Sequence, residues 1–179
     1  MITTWGKKLL SAKANGDLIP VVTVSTSGPA FIECKDAISG TIKYINPSLY
    51  TSGYNFLTAL STSTAGIAVG SNGSAESEND YALGSLISEV TGSITRETYI
   101  DTENKKYIGR AVITITNGTG NEVTIREVGR FIVPYGSNTR GANASSRFCV
   151  MIDRTVLDNP VVIPSGEAGV ILYDFAHGE

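Results

Sequence analysis

Residues 107–131 read YIGRAVITIT-NGTGN-EVTIREVGRF, and the fold class follows from their periodicity. Tyr107, Ala111, Ile113 and Ile115 fall on one face of an extended chain, with Arg110, Thr114 and Thr116 on the other. Val123 and Ile125 alternate in the same way against Glu122, Thr124 and Arg126. A period of two gives a strand one apolar and one polar face, so two strands are predicted here. The TNGTGN connector between them is rich in glycine and asparagine and suits a hairpin.

The same pattern extends outward in both directions. Short β-rich runs (PVVTVST, AFIEC, TIKYIN, GIAV, SITRETYI, RFIV, RFCVMID, PVVIP and AGVILYDFA) are separated by Gly, Pro and Asn. Phe148, Val150 and Ile152, and then Ile171, Tyr173 and Phe175, repeat the period of two. The expected fold is mainly β, an antiparallel β-sandwich or jelly-roll-like domain over residues 19–179. Val123, Ile125, Phe131, Phe148, Val150, Ile171 and Tyr173 are expected inside one sheet-on-sheet core. Residues 1–18 form an N-terminal helix or arm, with a capping threonine, apolar Trp5, Leu9 and Leu10, and a stop at Asn15-Gly16.

The longest irregular stretch runs from Ser61 to Tyr81, broken by GIAV. Glycines 66, 70 and 73 are read as permitting sharp turns there. Asn79 or Asp80 is read as the cap of a short helical turn through Leu83, Leu86 and Ile87, against the unfavourable Gly84.

The composition argues against several function classes. The 179 residues are 41% apolar and only 17% charged, and the formal net charge is −3. With a pI near 5.2 and fourteen scattered Lys and Arg, the chain shows no basic footprint for nucleic acid. The opening MITTWGKKLLSAKANGD has no long apolar run, so neither secretion nor membrane insertion is expected. So few charges give little protection against association, which points to a surface that lies against other proteins.

Catalytic chemistry is hard to assemble from this sequence. His177, the single histidine, lies in a YDFAHGE tail that would fix it poorly beside a nucleophile. VGSNGSAESEN lacks the GK[ST] ending of a phosphate-cradling loop. Glu76, Glu78 and Asp80 miss the spacing of a calcium loop and read more simply as a solvated acidic segment. Cys34 and Cys149 sit in apolar runs with no CxxC spacing and read as buried free thiols. The sequons at Asn72, Asn117 and Asn143 are read as products of composition. No enzyme activity, metal or cofactor is expected.

GIAVGSNGSAESENDYALGSLI, then ITITNGTGNEVTIREVGRF, then RFCVMIDRTVLDNPVVIPSGEAGVILYDF together resemble small virion structural proteins of tailed bacteriophages, of the tail-fibre, head-fibre or minor structural type. In that family a VGxG turn precedes an acidic loop, a DxxL element, an EVGLF-like strand and a PVVIPxGExG turn before a final strand. The likeness spans residues 66–175. The chain departs from it at Ser71-Asn72-Gly73-Ser74, where a Thr-rich turn is usual, and at Arg130, where leucine is common.

The resemblance implies a structural subunit of a phage particle: a head-tail connector or collar, a tail component or a fibre anchor. Such a subunit would fold in the host cytoplasm and act through homo-oligomeric, cyclic assembly and contacts with other virion proteins. The alternatives are a capsid-decoration or head-fibre protein, and a carbohydrate-binding module for a host-surface glycan. Trp5, Leu9, Leu10, Ser71, Asn72, Glu76, Glu78, Tyr81 and Arg130 are the candidate assembly contacts.

Overall fold

The structure, a computed structural model, describes residues 32–51, 55–77, 79–103, 106–139 and 146–177. The expected N-terminal helix, with Trp5, Leu9 and Leu10, and the run PVVTVST lie outside the described residues, as do Glu78 and Asn143. The rest is mainly β, with no helix among the described residues.

Strand β7 (Val123–Ser137) is the hub of a seven-stranded sheet. Its first half lies between β4 (Gly66–Gly70) and β9 (Val150–Ile163), with Val69 opposite Val128 and Val123 opposite Ile163. Its second half lies between β2 (Ile42–Thr51) and β8 (Ser146–Arg147). The sheet is completed by β1 (Ile32–Lys35), antiparallel to β2, and β3 (Asn55–Phe56), parallel to β4. The second sheet has three antiparallel strands in the order β10 (Ala168–His177), β6 (Lys106–Thr116) and β5 (Thr91–Asp101).

The two alternating runs that open the sequence reading therefore do not pair with each other. β6 belongs to the small sheet and β7 to the large one, so TNGTGN is a crossing between sheets rather than a hairpin. The turn from Pro164 to Glu167 makes a second crossing, from β9 to β10, with Gly166 at φ 81°. Asn117 fastens the two crossings together. Its Nδ2 donates to the carbonyls of Ile163 and Asn121, both at 2.8 Å, and Oδ1 accepts from Thr119. Its backbone exchanges hydrogen bonds with Glu167 and Gly166. Asn117 is fully buried, so every polar atom must be satisfied from within, and this corner does so.

One apolar cluster draws on both sheets: Ile67, Val69, Ile125, Val128 and Ile163 from the large one, and Ala111, Ile113, Ile115, Ile171 and Tyr173 from the small one. The single expected core is in fact three clusters. Val150 packs with Ile32, Cys34 and Ile45, whereas Phe131 packs with Ala68, Cys149 and Met151 on the other face of β7. The cause is β7 itself, which is long enough to face different partners along its length and carries irregular pairing with β9 after Ile125 and after Arg130. Both cysteines are buried and in no disulfide. Burial, with the charge of Asp36 added, pushes the Cys149 thiol up to about 12.

Candidate assembly surface and the strap clamped beside it

The register of the small sheet defines its outer face. Ile171 and Tyr173 are buried while Val170 and Leu172 are 56% and 57% exposed, so the alternate residues of β10 point away from the core. Directly opposed residues share a face. Val170 is therefore grouped with Thr114 and Ser93, Leu172 with Val112 and Thr95, and Asp174 with Arg110 and Glu97. Tyr99 and Ile100, at the far end of β5, are also exposed.

Three polar residues of this face are bonded to one another. Arg110 makes a bidentate contact with Asp174, through Nε to Oδ1 at 2.6 Å and Nη2 to Oδ2 at 2.8 Å. The Tyr99 hydroxyl donates to Asp174 Oδ2 at 3.0 Å, and the guanidinium lies 4.9 Å from the centre of the Tyr99 ring. The hydrogen bond from Arg110 holds the Asp174 carboxyl below its ordinary value against partial burial, with Tyr99 assisting. The rest of the face combines apolar Val112, Val170 and Leu172 with Ser93, Thr95, Thr114 and Glu97.

The irregular segment expected to contact neighbours is tied to its own subunit. Residues 71–86 form a strap across the opposite face of β7, on the side of Phe131, where Ala82, Leu83 and Leu86 pack against the cluster around that ring. The expected helical turn at 79–87 is not formed. Its backbone donors are taken elsewhere: Gly84 and Ser85 N–H donate to the Glu127 carboxylate at 3.3 and 3.0 Å, and Ile87 N–H donates to the Val69 carbonyl. Ser71 N–H closes the strap on Ser85, and Gly70 bridges Leu86.

Arg154 locks the strap down. Its Nε donates to Glu127 Oε2 and its Nη1 to Asp80 Oδ2, each at 2.7 Å, while Nη2 reaches the Ser74 carbonyl at 3.2 Å. The Arg154 and Glu127 side chains are 4% and 0% exposed. A buried pair of this kind holds only when its remaining hydrogen-bonding capacity is filled, as the strap's backbone does here. Glu76 adds a further tie, accepting from Val156 N–H at 2.7 Å. Gly70 has no room for a side chain, since a Cβ there would strike Glu127 Oε1 and the Ser85 carbonyl. Gly66 likewise lies within β4 against the Asn55 backbone, so these two glycines serve close approach and not turns.

The candidate contact residues among the described ones, Ser71, Asn72, Glu76, Tyr81 and Arg130, each have a definite place. Asn72 accepts from Ser74 N–H, and Lys35 Nζ stands 3.8 Å from the centre of the Tyr81 ring. Ser71, Asn72, Glu76 and Tyr81 thus share the strap, whereas Arg130 lies apart and is buried at 9% exposure, contrary to the expectation of a solvent or partner contact. It is opposite Asp153 in the β7–β9 pairing. Burial first, then the charge of Asp153, raises the Tyr173 hydroxyl well above its ordinary value. The backbone of His177 is not a loose tail either, because it pairs with Tyr107 at the end of β10.

The oxygens of Glu76 and Asp80 are engaged by protein donors. No group of three or more candidate metal ligands occurs among the described residues, and no helix among them is long and apolar enough to cross a membrane. The sequence signals for the outer face were Val170 and Leu172 alternating with Ile171 and Tyr173, a run too apolar to show which residues face out. In comparisons with known proteins, no family, curated protein or solved structure matches the chain.

Proposed function

We propose that this chain is a structural subunit of a tailed-bacteriophage particle, in the connector, collar, tail or fibre-anchoring class, acting through self-assembly and protein contacts. On this reading its two sheets, joined by the shared cluster and the Asn117 corner, make a sandwich that serves as a rigid building block. The observation that carries the proposal is the outer face of the small sheet. Of the seven large apolar side chains with substantial exposure among the described residues, Tyr99, Val170 and Leu172 share this face, whereas Ile100, next to Tyr99 on β5, alternates to the other side. Concentration on one sheet marks an interface where scattered exposure would not. The motif likeness over residues 66–175 supplies the biological setting.

The glycan-binding alternative is less well supported, because Arg110 covers one face of the Tyr99 ring that a sugar would need. Mass spectrometry of purified particles of a phage encoding this chain tests the proposal. The chain should be present in stoichiometric amounts and should resist washing, and its absence from the particles would reject a structural role.

A further inference from the structure

We infer that β10 is the seam between two copies of this chain, which add strand to strand across a two-fold axis centred on Ile171. The inference rests on the self-assembly reading above and names the surface and partner it requires. β10 is an edge strand paired only with β6 among the described residues, and its register runs without a shift from Ala168 to His177. A regular edge of this length presents a row of backbone donors and acceptors ready for a further strand. Natural edges are usually blunted by proline, lysine or a bulge. β10 contains neither proline nor lysine, and its pairing shows no bulge.

The other edges are poorer templates. β1 and β3 are only four and two residues long. β5 is long but carries Arg96, Glu97 and Asp101, and the Phe56 ring packs closely on Gly92 near its start. Charge patterning thus favours β10.

The partner follows from symmetry. In an antiparallel pair the opposed side chains share a face, and a two-fold axis normal to the sheet keeps the outer face outward, so the axis must pass midway between one residue and its own copy. Centred on Ile171, the register sets Val170 against Leu172 of the partner subunit and Leu172 against the partner's Val170. Asp174, the only acidic residue of the strand, then stands opposite the partner's Ala168, roughly 20 Å along the strand from the partner's Asp174. Moving the centre to Leu172 or Tyr173 would set Val170 or Leu172 against the partner's carboxylate. Moving it to Val170 shortens the pairing. The Ile171 register is therefore the longest that keeps the exposed apolar residues matched, and it joins the two small sheets into one continuous sheet.

The test is a charge pair on the full chain. In V170E/L172E every outer-face contact across the seam is repulsive, whereas in V170K/L172E each lysine meets a glutamate of the partner. Both positions are exposed, so melting of each subunit should be unchanged. Sedimentation velocity should show self-association weakened about tenfold or more in V170E/L172E and returned close to the parent level in V170K/L172E. If the parent associates and both variants associate equally well, or both equally poorly, the β10 seam is wrong while the assembly reading stands. A parent that is monomeric throughout overturns both.

Discussion

Arg154 is the residue on which the strap depends most heavily. Its guanidinium is nearly inaccessible, and it neutralises Glu127, a carboxylate with no exposure at all. Replacing Arg154 by Ala would leave that charge buried without its counter-ion, a situation that costs about 3–5 kcal/mol. Denaturant unfolding should register the loss, and combining R154A with E127Q should cost less than the two single changes added together, because one interaction is being removed twice. A loss indistinguishable from zero would mean that water reaches Glu127. Glu127 also shows where reading residue by residue fails. Strict alternation from Val123 and Ile125 places it on the core-facing side, but Val128 takes the next place in the shared cluster and Glu127 faces Arg154 and the strap, where the β7–β9 pairing breaks. Nothing in the local sequence announces that break, since its origin is the extra length of β9 between Val156 and Val161.

Elements were legible wherever one face is apolar and the other polar. β6 and the start of β7 followed from period two alone, and the second half of β7, buried on both faces, was legible only as an apolar run. Which strands pair was not legible. NGTGN looks the same whether it closes a hairpin or carries the chain from one sheet to the other, and the deciding feature is the distant demand of Asn117 on Ile163, Gly166 and Glu167. The end of the strap was misread as a short helical turn for a related reason: its backbone donors are satisfied by Glu127 and β4, partners remote in sequence. Asn117→Ala should therefore loosen both crossings at once. The buried Ile163 carbonyl would lose its donor, at a cost of about 1–3 kcal/mol, seen as a lower melting temperature. Asn117→Asp should destabilise as well, since the carboxylate cannot donate to Ile163 or Asn121; a variant as stable as the parent would show that the corner is not a fastening point.

At the scale of the molecule, the two faces of this β architecture are used differently. The face of β7 around Phe131 is closed by the chain's own strap and Arg154, while Tyr99, Val170 and Leu172 stay exposed on the outer face of the small sheet. The strap, whose described residues are exposed or half-buried, is thus tied to its own subunit through Glu127 and Arg154, and on the proposed reading β10 supplies the contact between copies. Composition pointed the same way, since a chain with only 17% charged residues gains solubility by covering apolar surface. The most direct test is the mass of the purified full chain in solution across a wide concentration range, by sedimentation velocity or mass photometry. A discrete assembly with an even number of copies, stable on dilution, is the expected result; a single 18.9 kDa species at every concentration would contradict the account.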